Sequence, residues 1–297
     1  MKREHDEIAS VKRKENYSKI WFVKALELLK QEKIKFKSVV DIGAGKGEFL
    51  EILKDNFDIP NTVGVDYIES DLRTLTSKGI KAIKVDLDNF KVEDYSDLKN
   101  NFDLVVCLAA IEHVFNADRL FQFFYHLLKE KGHLLITTPN MGAFHFRLFY
   151  LLRGYPLGEG HHVRFFNKKK LRQHAFFNGF DPVKWNNYFT SEPSVIKRGF
   201  GVRNKYLAYF LAMLFFGPLL IFQKLKLFGS LTNNHFVILF RKTNFSPLNL
   251  QIDNFKKNFE QLPDEKKQLW INRIRKYYKK DKLKEHIYFK SYIEKII

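Results

Sequence analysis

Cysteine is nearly missing from this 297-residue sequence, which contains Cys107 alone. A single cysteine cannot build a disulfide framework, so we expect the protein to work in a reducing compartment such as the cytoplasm. The first eighteen residues are charged and lack the apolar run of a signal peptide, so neither a leader nor an anchor is expected there. Internal repeats and low-complexity tracts are lacking too. With 45% hydrophobic residues, the chain can bury one large core or a core plus an appendage.

Acidic residues become scarce in the second half of the chain, although the net charge of +18 does not show this by itself. Residues 36–140 contain 12 basic and 17 acidic side chains, whereas residues 141–250 contain 16 basic and 3 acidic ones. This asymmetry predicts an anionic partner for the second half, which could be phospholipid, a phosphorylated substrate or nucleic acid. A lysine-rich proteome with solvated surfaces is the alternative explanation.

Strand and helix patterns alternate along most of the chain. A first helix is predicted over 18–31, and further helices at 47–56, 69–79 and 117–132. Strand patterns occur at 37–43, 61–67, 81–87, 102–110, 133–140, 180–189 and 234–242. This alternation predicts an α/β fold, a Rossmann-like doubly wound and mostly parallel seven-stranded sheet with helices on both faces.

Three glycines at alternate positions, Gly43, Gly45 and Gly47, lie between the first strand and its helix. Such a turn lets the backbone approach a ligand at a helix N-terminus. A dinucleotide fingerprint would need its third glycine at position 48, which is Glu48. The spacing is instead D-x-G-x-G-x-G, and an acid at Asp41 suits a ligand with an ammonium group, such as the methionine part of S-adenosylmethionine.

The next two strands each end in an aspartate. Asp66 could accept hydrogen bonds from ribose hydroxyls, and Asp86 could accept one from an adenine amino group. Each could also be an ordinary turn or helix-capping aspartate. Because the ligand crevice of an open α/β sheet lies outside the carboxyl ends of its strands, three acids at three successive strand ends predict one shared site.

Five stretches of the sequence resemble, in order, the successive motifs of the class I S-adenosylmethionine-dependent methyltransferases. They are VVDIGAGKGEFL, GVDYIES, VDLDNF, FDLVVCLAAIEHVFN and LKEKGHLLITTPN. The resemblance covers about residues 20–185 and implies an enzyme with S-adenosylmethionine as its cofactor and no metal. The cofactor contacts that it implies are Asp41, Gly43, Ala44, Gly45, Gly47, Asp66, Asp86, Leu87 and Leu108.

Acceptor residues are expected after the fourth and fifth strands. Methyl transfer requires alignment of the acceptor with the methyl group and sulfur, and a hydroxyl acceptor also needs a base. Glu112 and His113 follow the fourth strand, and Asn140 ends the TTPN run after the fifth. We interpret His113 as a candidate general base and the other two as substrate-binding, with packing or capping of the next helix as the alternative for His113.

The run HHVRFF resembles a motif of family members that modify polysaccharides and lipid-linked sugars. It makes His162 a second candidate base. His161 and Arg164 become candidate substrate ligands, Arg164 for a phosphate or carboxylate group. The alternative is that this run only seats the following helix against the sheet.

An apolar run, YLAYFLAMLFFGPLLIF at 206–222, separates the last two predicted strands and has basic flanks. Its length approaches the ~17–25 residues of a membrane-spanning helix. Gly217-Pro218 would break such a helix, and the strands on both sides must join one sheet. We therefore predict a helical insertion that contacts an anionic membrane surface through 203–226, with a helical lid or a dimer interface as alternatives.

These patterns divide the chain into five segments. They are an N-terminal helical cap (1–35), a cofactor-binding core (36–190), an apolar insertion (191–233), the last core strand (234–245) and a basic helical tail (246–297). WINRIRKYYKK in the tail could suggest nucleic acid, but the same composition suits a helix beside a membrane, so nucleic acid is not the favoured partner.

The leading hypothesis is O-methylation of a glycan or lipid-linked sugar by a cytoplasmic protein that is peripheral on the inner membrane face. The alternatives are a quinone or lipid-ring methyltransferase, a tRNA methyltransferase and a non-catalytic membrane-associated scaffold. The sequence indicates neither the oligomeric state nor the acceptor atom.

Overall fold

The computed structural model describes residues 19–154, 162–188, 233–248 and 252–281, with short pieces between 204 and 214. The chain forms one seven-stranded sheet in the order β3-β2-β1-β4-β5-β7-β6. The strands are β1 Ser38–Ile42, β2 Asn61–Asp66, β3 Lys81–Lys84, β4 Phe102–Leu108, β5 Leu128–Pro139, β6 Phe180–Tyr188 and β7 His235–Lys242. The first five are parallel, and β7 is antiparallel to both neighbours. This arrangement confirms the predicted Rossmann-like sheet.

Eight α-helices have defined bounds in the described part of the chain. They are α1 Ile20–Gln31, α2 Glu48–Asn56, α3 Glu69–Ser77, α4 Ala117–Leu127, α5 Phe144–Arg153, α6 Lys168–Phe177, α7 Ile252–Glu260 and α8 Asp264–Asp281. Apolar residues of α1, α2 and α3 form one buried cluster with the sheet, and those of α4 and α6 form another. The two clusters cover opposite faces, which is why the central strands are apolar almost throughout.

The boundary between α4 and β5 differs from the prediction of a helix over 117–132. The helix ends at Leu127, and Leu128 already pairs with Phe102 of β4. The register then shifts, because the next pair is Leu104 with His133. Residues 129–132 therefore form a bulge, in which Lys131 has a positive φ of 62°. Strand pairing overrides the local helical pattern of LLKEKG there.

The helical tail is present, and two of its helices pack on the core. Phe255 and Phe259 of α7 and Trp270 and Ile274 of α8 form a third buried cluster with α6. Arg273 of α8 also donates to an Asp181 carboxylate oxygen at 2.9 Å. The tail is therefore joined to β6 and α6 by its buried apolar residues and by one ion pair, in which Arg273 is buried and Asp181 is half exposed.

Most of the predicted apolar insertion, 191–233, lies outside the described residues, and so does most of the predicted membrane contact at 203–226. Within the part that is described, no helix has both the length and the apolar character needed to cross a membrane. The five segment boundaries and the membrane contact stay predictions.

Candidate functional site

The turn between β1 and α2 contains the three alternating glycines. Their φ angles are 77° at Gly43, 55° at Gly45 and 76° at Gly47, a region that residues with a Cβ rarely adopt. A Cβ on Gly43 would lie 2.7 Å from the Ala110 Cβ, and one on Gly47 would lie 2.6 Å from Leu75 Cδ2. The turn therefore needs glycine both for its conformation and for its close approach to the end of β4 and to α3.

Asp66, the last residue of β2, holds this turn in place. One carboxylate oxygen accepts a hydrogen bond from the Gly45 amide at 2.7 Å. The other accepts from the amides of Tyr67 and Ile68 at 2.8 and 3.0 Å. Asp66 is half-buried beside the turn. Its ribose contact stays a prediction.

Asp41 lies in β1 and is almost fully buried next to the glycine turn. Its Cα is paired with Gly64 of β2 and with Val106 of β4. Burial is the main cause that raises the pKa of Asp41 to about 7; the charge of Asp66 adds to the effect and Lys19 opposes it. A cation bound nearby would stabilise the ionised form of this carboxyl, which agrees with the ammonium partner predicted for Asp41.

The other predicted cofactor residues line the same edge of the sheet. The Ala44 amide donates to the Val65 carbonyl at 3.0 Å. Asp86 and Leu87 follow β3, where Asp86 is exposed and Leu87 packs against the core. Leu108 ends β4 and is buried. The structure thus brings these residues to the carboxyl ends of adjacent strands, as the sequence predicted, while their contacts with a cofactor stay predictions.

Glu112, His113 and His162 come together beside this edge. Glu112 and His113 lie in a short 3₁₀ turn, Ile111–His113, directly after β4. The two imidazole rings have centroids 5.0 Å apart and an interplanar angle of 68°. One donor atom from each of the three side chains lies within 4.8 Å of the other two. Both candidate bases are therefore in one place, beside a carboxyl group.

The Glu112 side chain is buried, whereas His113 is exposed and His162 is half-buried. A Glu112 carboxylate oxygen accepts a hydrogen bond from Thr138 Oγ1 of β5 at 3.1 Å. Burial raises the pKa of Glu112 to about 7, against the lowering effect of hydrogen bonds from its own amide and from Thr138. Glu112 is thus a carboxyl group that can exchange a proton near neutral pH.

Main-chain hydrogen bonds fix the segment that contains His162. The amides of Val163 and Arg164 both donate to the Glu112 carbonyl at 3.0 Å. Arg164 Nε donates to the Phe115 carbonyl at 2.7 Å, so in this structure the guanidinium is used within the protein. Phe166 is buried in the core, and this favours packing as the role of the aromatic part of HVRFF. The substrate role predicted for Arg164 stays a prediction.

Asn140 is buried, and both ends of its side chain are used. Its Nδ2 donates to the Asn233 carbonyl at 2.8 Å, and its Oδ1 accepts from the Gly142 amide at 3.0 Å. These bonds join the end of β5 to the residues before β7. Asn140 therefore has a structural role in addition to the substrate contact that was predicted for it. His161 lies outside the described residues.

Two features near the site were not predicted. Thr138 was quoted only as part of the TTPN run, and its hydroxyl contact with Glu112 depends on the pairing of β4 with β5. Large apolar side chains are also exposed after β4 and on α5: Phe115 at 63%, Phe144 at 54% and Leu151 at 79%. Exposed aromatic residues in a sequence cannot be told from core residues without the fold.

The arrangement can hold a nucleoside cofactor and supply a base beside it. The glycine turn and the strand-end aspartates offer amides and carboxylates, and the two imidazoles with Glu112 offer proton acceptors. Exposed apolar side chains lie on the segments that leave the same strand ends.

Comparison with known proteins agrees with this description. A family model described as a methyltransferase domain matches residues 14–184. A ubiquinone biosynthesis O-methyltransferase of Dechloromonas aromatica is 26% identical over 155 residues, which cover 49% of this chain and 65% of that protein. Phosphoethanolamine N-methyltransferase 3 of Arabidopsis thaliana is 29% identical over 143 residues, which cover 46% of this chain and 28% of that protein.

A solved structure of a putative methyltransferase from Bacillus halodurans is similar to this chain with a TM-score of 0.50 and 15% identity. The similarity covers 74% of this chain and 99% of the other, and at this identity it concerns the fold alone. The chain spans just under two thirds of the length of the ubiquinone biosynthesis relatives, at 65% and 64% for two of them.

Proposed function

Because the chain belongs to the family of methyltransferase domains, we propose that it transfers the methyl group of S-adenosylmethionine to a hydroxyl oxygen of an acceptor with an apolar part. The family match covers residues 14–184, more than half of the chain. S-adenosylmethionine is the cofactor of this domain. The acceptor, the cellular location and the activity of the whole protein are our proposals.

One observation carries the proposal: the glycine turn and the Glu112–His113–His162 group lie at the same edge of the sheet. The Gly43 position packs against Ala110, only two residues before Glu112. A sulfonium cofactor at the turn would therefore lie next to groups that can accept a proton. Proximity of this kind supplies most of the rate in an in-line methyl transfer.

The reaction needs a proton acceptor and no further reactant. The acceptor oxygen attacks the methyl carbon, the carbon–sulfur bond breaks, and its electron pair stays on sulfur, which becomes a neutral thioether. The hydroxyl proton passes to a base, for which His113 and His162 are the candidates, with neutral imidazole as the active form.

An acceptor with an apolar ring is our first candidate. The names of five of the curated relatives describe ubiquinone biosynthesis O-methyltransferases, which supports a phenolic hydroxyl as the methylated group. The exposed Phe115, which follows the Ile111–His113 turn, also suits an apolar acceptor. An acceptor dissolved in a membrane would agree with the predicted membrane contact of 203–226 and with a cytoplasmic protein on the inner face of the membrane.

A glycan or lipid-linked sugar is the second candidate, and the resemblance of HVRFF to family members that modify such molecules favours it. Phe166 is buried and Arg164 donates to the Phe115 carbonyl, so contacts within the protein account for part of this motif. The motif therefore gives weaker support to a glycan acceptor. A tRNA acceptor has less support than the sequence of the tail suggested. Trp270 is buried, so this aromatic residue is not exposed for contact with a base.

Cofactor binding can be tested by titration calorimetry of S-adenosylmethionine. We expect Asp66→Ala to weaken binding by at least tenfold, because the variant frees the Gly45 amide and loses a carboxylate at the site. Asp58→Ala is the matched control, since Asp58 precedes the other end of β2 and pairs with Lys37 at the surface. A wild-type protein that does not bind the cofactor would favour a non-catalytic scaffold.

The acceptor class can be tested by incubating the enzyme and methyl-labelled cofactor with three fractions. These are a quinone-containing lipid extract, a preparation of lipid-linked sugars and total RNA. We expect label in the first fraction. Label only in the second would favour the glycan candidate, and label only in RNA would contradict both.

A further inference from the structure

Glu112, His113 and His162 form a group that has more members than general-base catalysis requires. One imidazole is enough to accept a hydroxyl proton. Here a carboxylate oxygen and two imidazole nitrogens lie within 4.8 Å of one another. Within the described part of the chain, this is the group of acidic and histidine side chains whose donor atoms could surround one ion.

We propose that these three residues bind one divalent first-row transition metal ion. Imidazole nitrogens suit ions such as Zn²⁺, Co²⁺ and Fe²⁺, and a set of two histidines and one glutamate is an established donor set for catalytic zinc. Metal–ligand bonds of about 2.0–2.2 Å would require the three donor atoms to approach one another slightly. His113 is exposed and His162 half-buried, so small side-chain rotations can supply that movement.

The protein already holds two of the three ligands in place. Thr138 Oγ1 donates to one carboxylate oxygen of Glu112 at 3.1 Å, and this hydrogen bond orients the carboxyl group. The amides of Val163 and Arg164 donate to the Glu112 carbonyl, so the main chain beside His162 is fixed to the residue that provides the carboxylate. Outer contacts of this kind orient metal ligands and raise the affinity of a site.

Burial of Glu112 also favours an ion. A buried carboxylate is costly unless it is paired or coordinates a metal. Its side chain accepts hydrogen bonds from two neutral groups, the Thr138 hydroxyl and its own main-chain amide. A divalent cation shared with the two imidazoles would neutralise the charge without a change in the fold.

The ion would be open on its solvent side, because the exposed His113 and half-buried His162 flank it there. Three protein ligands leave at least one position for an oxygen atom. If the proposed function holds, this position would bind the acceptor hydroxyl, lower its pKa and direct its oxygen toward the methyl group. The acceptor would then be one whose hydroxyl can ligate a metal, such as a phenol.

Metal binding can be tested on the full chain after removal of any purification tag and dialysis against a chelator. Co²⁺ alone is the probe, because it gives visible absorption bands when bound by nitrogen and oxygen ligands. We expect one saturable Co²⁺ site that Zn²⁺ displaces. His162→Ala and His113→Ala should each weaken Co²⁺ binding by at least tenfold, and they are side chains whose removal leaves no buried cavity in the core.

His133→Ala is the matched control, since His133 lies in β5 opposite Leu104, away from the carboxyl end of the strands. It should leave Co²⁺ binding unchanged. The proposal is wrong if the wild-type protein shows no saturable Co²⁺ site, or if the site persists with unchanged affinity in both histidine variants.

The same samples separate this inference from the proposed function. Methyl transfer that continues at full rate in excess chelator would overturn the catalytic role of the ion and leave the methyltransferase proposal standing. Saturable Co²⁺ binding lost in the two variants, without methyl transfer to any of the three fractions, would support the metal site and count against the proposed function.

Discussion

Glycine in the glycine turn has two reasons, backbone conformation and close packing, and two glycines with similar φ angles allow them to be separated. Gly43 has a φ of 77° and Gly79 has a φ of 69°. A Cβ on Gly43 would lie 2.7 Å from the Ala110 Cβ, whereas one on Gly79 would meet nothing within 4 Å. Gly79 lies between α3 and β3, so it is a matched control for backbone strain alone.

We expect Gly79→Ala to lower the free energy of unfolding by about 1–2 kcal/mol, the cost of a left-handed conformation. Gly43→Ala should cost more than this and should weaken S-adenosylmethionine binding at least tenfold, because the turn must move away from β4. Urea unfolding and calorimetry measure the two effects. Equal effects of both variants on cofactor affinity would contradict the role of the turn.

The pKa of Asp41 links the stability of the protein to pH. Because burial raises this pKa from 3.8 to about 7, the folded state binds a proton that the unfolded state has released between these values. The contribution of Asp41 to stability is therefore fully present below pH 3.8 and is lost as the pH rises to about 7.

Asp41→Asn should remove this dependence. Between pH 5.5 and pH 8, we expect the wild-type free energy of unfolding to fall by about 2 kcal/mol more than that of the variant. Urea unfolding of the cofactor-free protein at both pH values measures the difference. The slopes are compared between the two proteins because other groups, such as Glu112, titrate in the same range. Parallel pH profiles would show that Asp41 ionises normally.

At the scale of helices and strands, the packing of the tail depends on buried aromatic residues, of which Trp270 is the largest. Trp270 of α8 is 1% exposed and packs among Phe176 and Phe245, while its neighbour Leu269 is 44% exposed. The tail is attached to the start of β6, which pairs with the end of β7. This pairing lies at the amino ends of the parallel strands, whereas the glycine turn lies at their carboxyl ends.

We expect Trp270→Ala to destabilise the packing of α7 and α8 by about 3–5 kcal/mol, the range for large core truncations. Leu269→Ala should change stability by less than about 0.5 kcal/mol, as surface substitutions usually do. Limited proteolysis should then cut the tail of the first variant faster, with cofactor affinity unchanged. A loss of cofactor affinity in Trp270→Ala alone would mean that the tail acts on the site.

Local patterns were enough to predict most elements and the position of the glycine turn. The glycines, Asp41 and Asp66 lie within 26 residues, and the strand–turn–helix pattern places them without knowledge of the rest of the fold. The end of α4 was predicted wrongly, because pairing of Leu128 with Phe102 is a tertiary contact. The contact of His162 with the turn at Glu112 spans 50 residues of sequence, and it depends on main-chain bonds that no side-chain pattern encodes.

On the scale of the whole molecule, charge is divided between two parts of the chain. Residues 36–140 are net acidic and residues 141–250 are strongly basic. If the basic half contacts a membrane, binding to vesicles that contain anionic lipid should exceed binding to neutral vesicles. It should also fall as salt rises from about 0.05 to about 0.5 M, because screening shortens the range of exposed charges.

Vesicle sedimentation measures this. Lys224→Glu with Lys226→Glu should reduce binding to anionic vesicles, whereas Lys33→Glu with Lys35→Glu, outside the apolar insertion, should have a smaller effect. Equal binding to neutral and anionic vesicles, or no binding to either, would contradict the membrane contact and would favour another anionic partner for the basic half.

The position of β7 has a consequence for synthesis of the protein. β7 is the last strand in the described part of the chain, yet it lies between β5 and β6. Until residue 242 has left the ribosome, one edge of β5 is unpaired and β6 has no neighbour. At about 5–20 residues per second, the nascent chain exposes these edges for several seconds, a period in which chaperones protect such surfaces. A shortened gene that stops before codon 235 would make the exposure permanent and yield insoluble product.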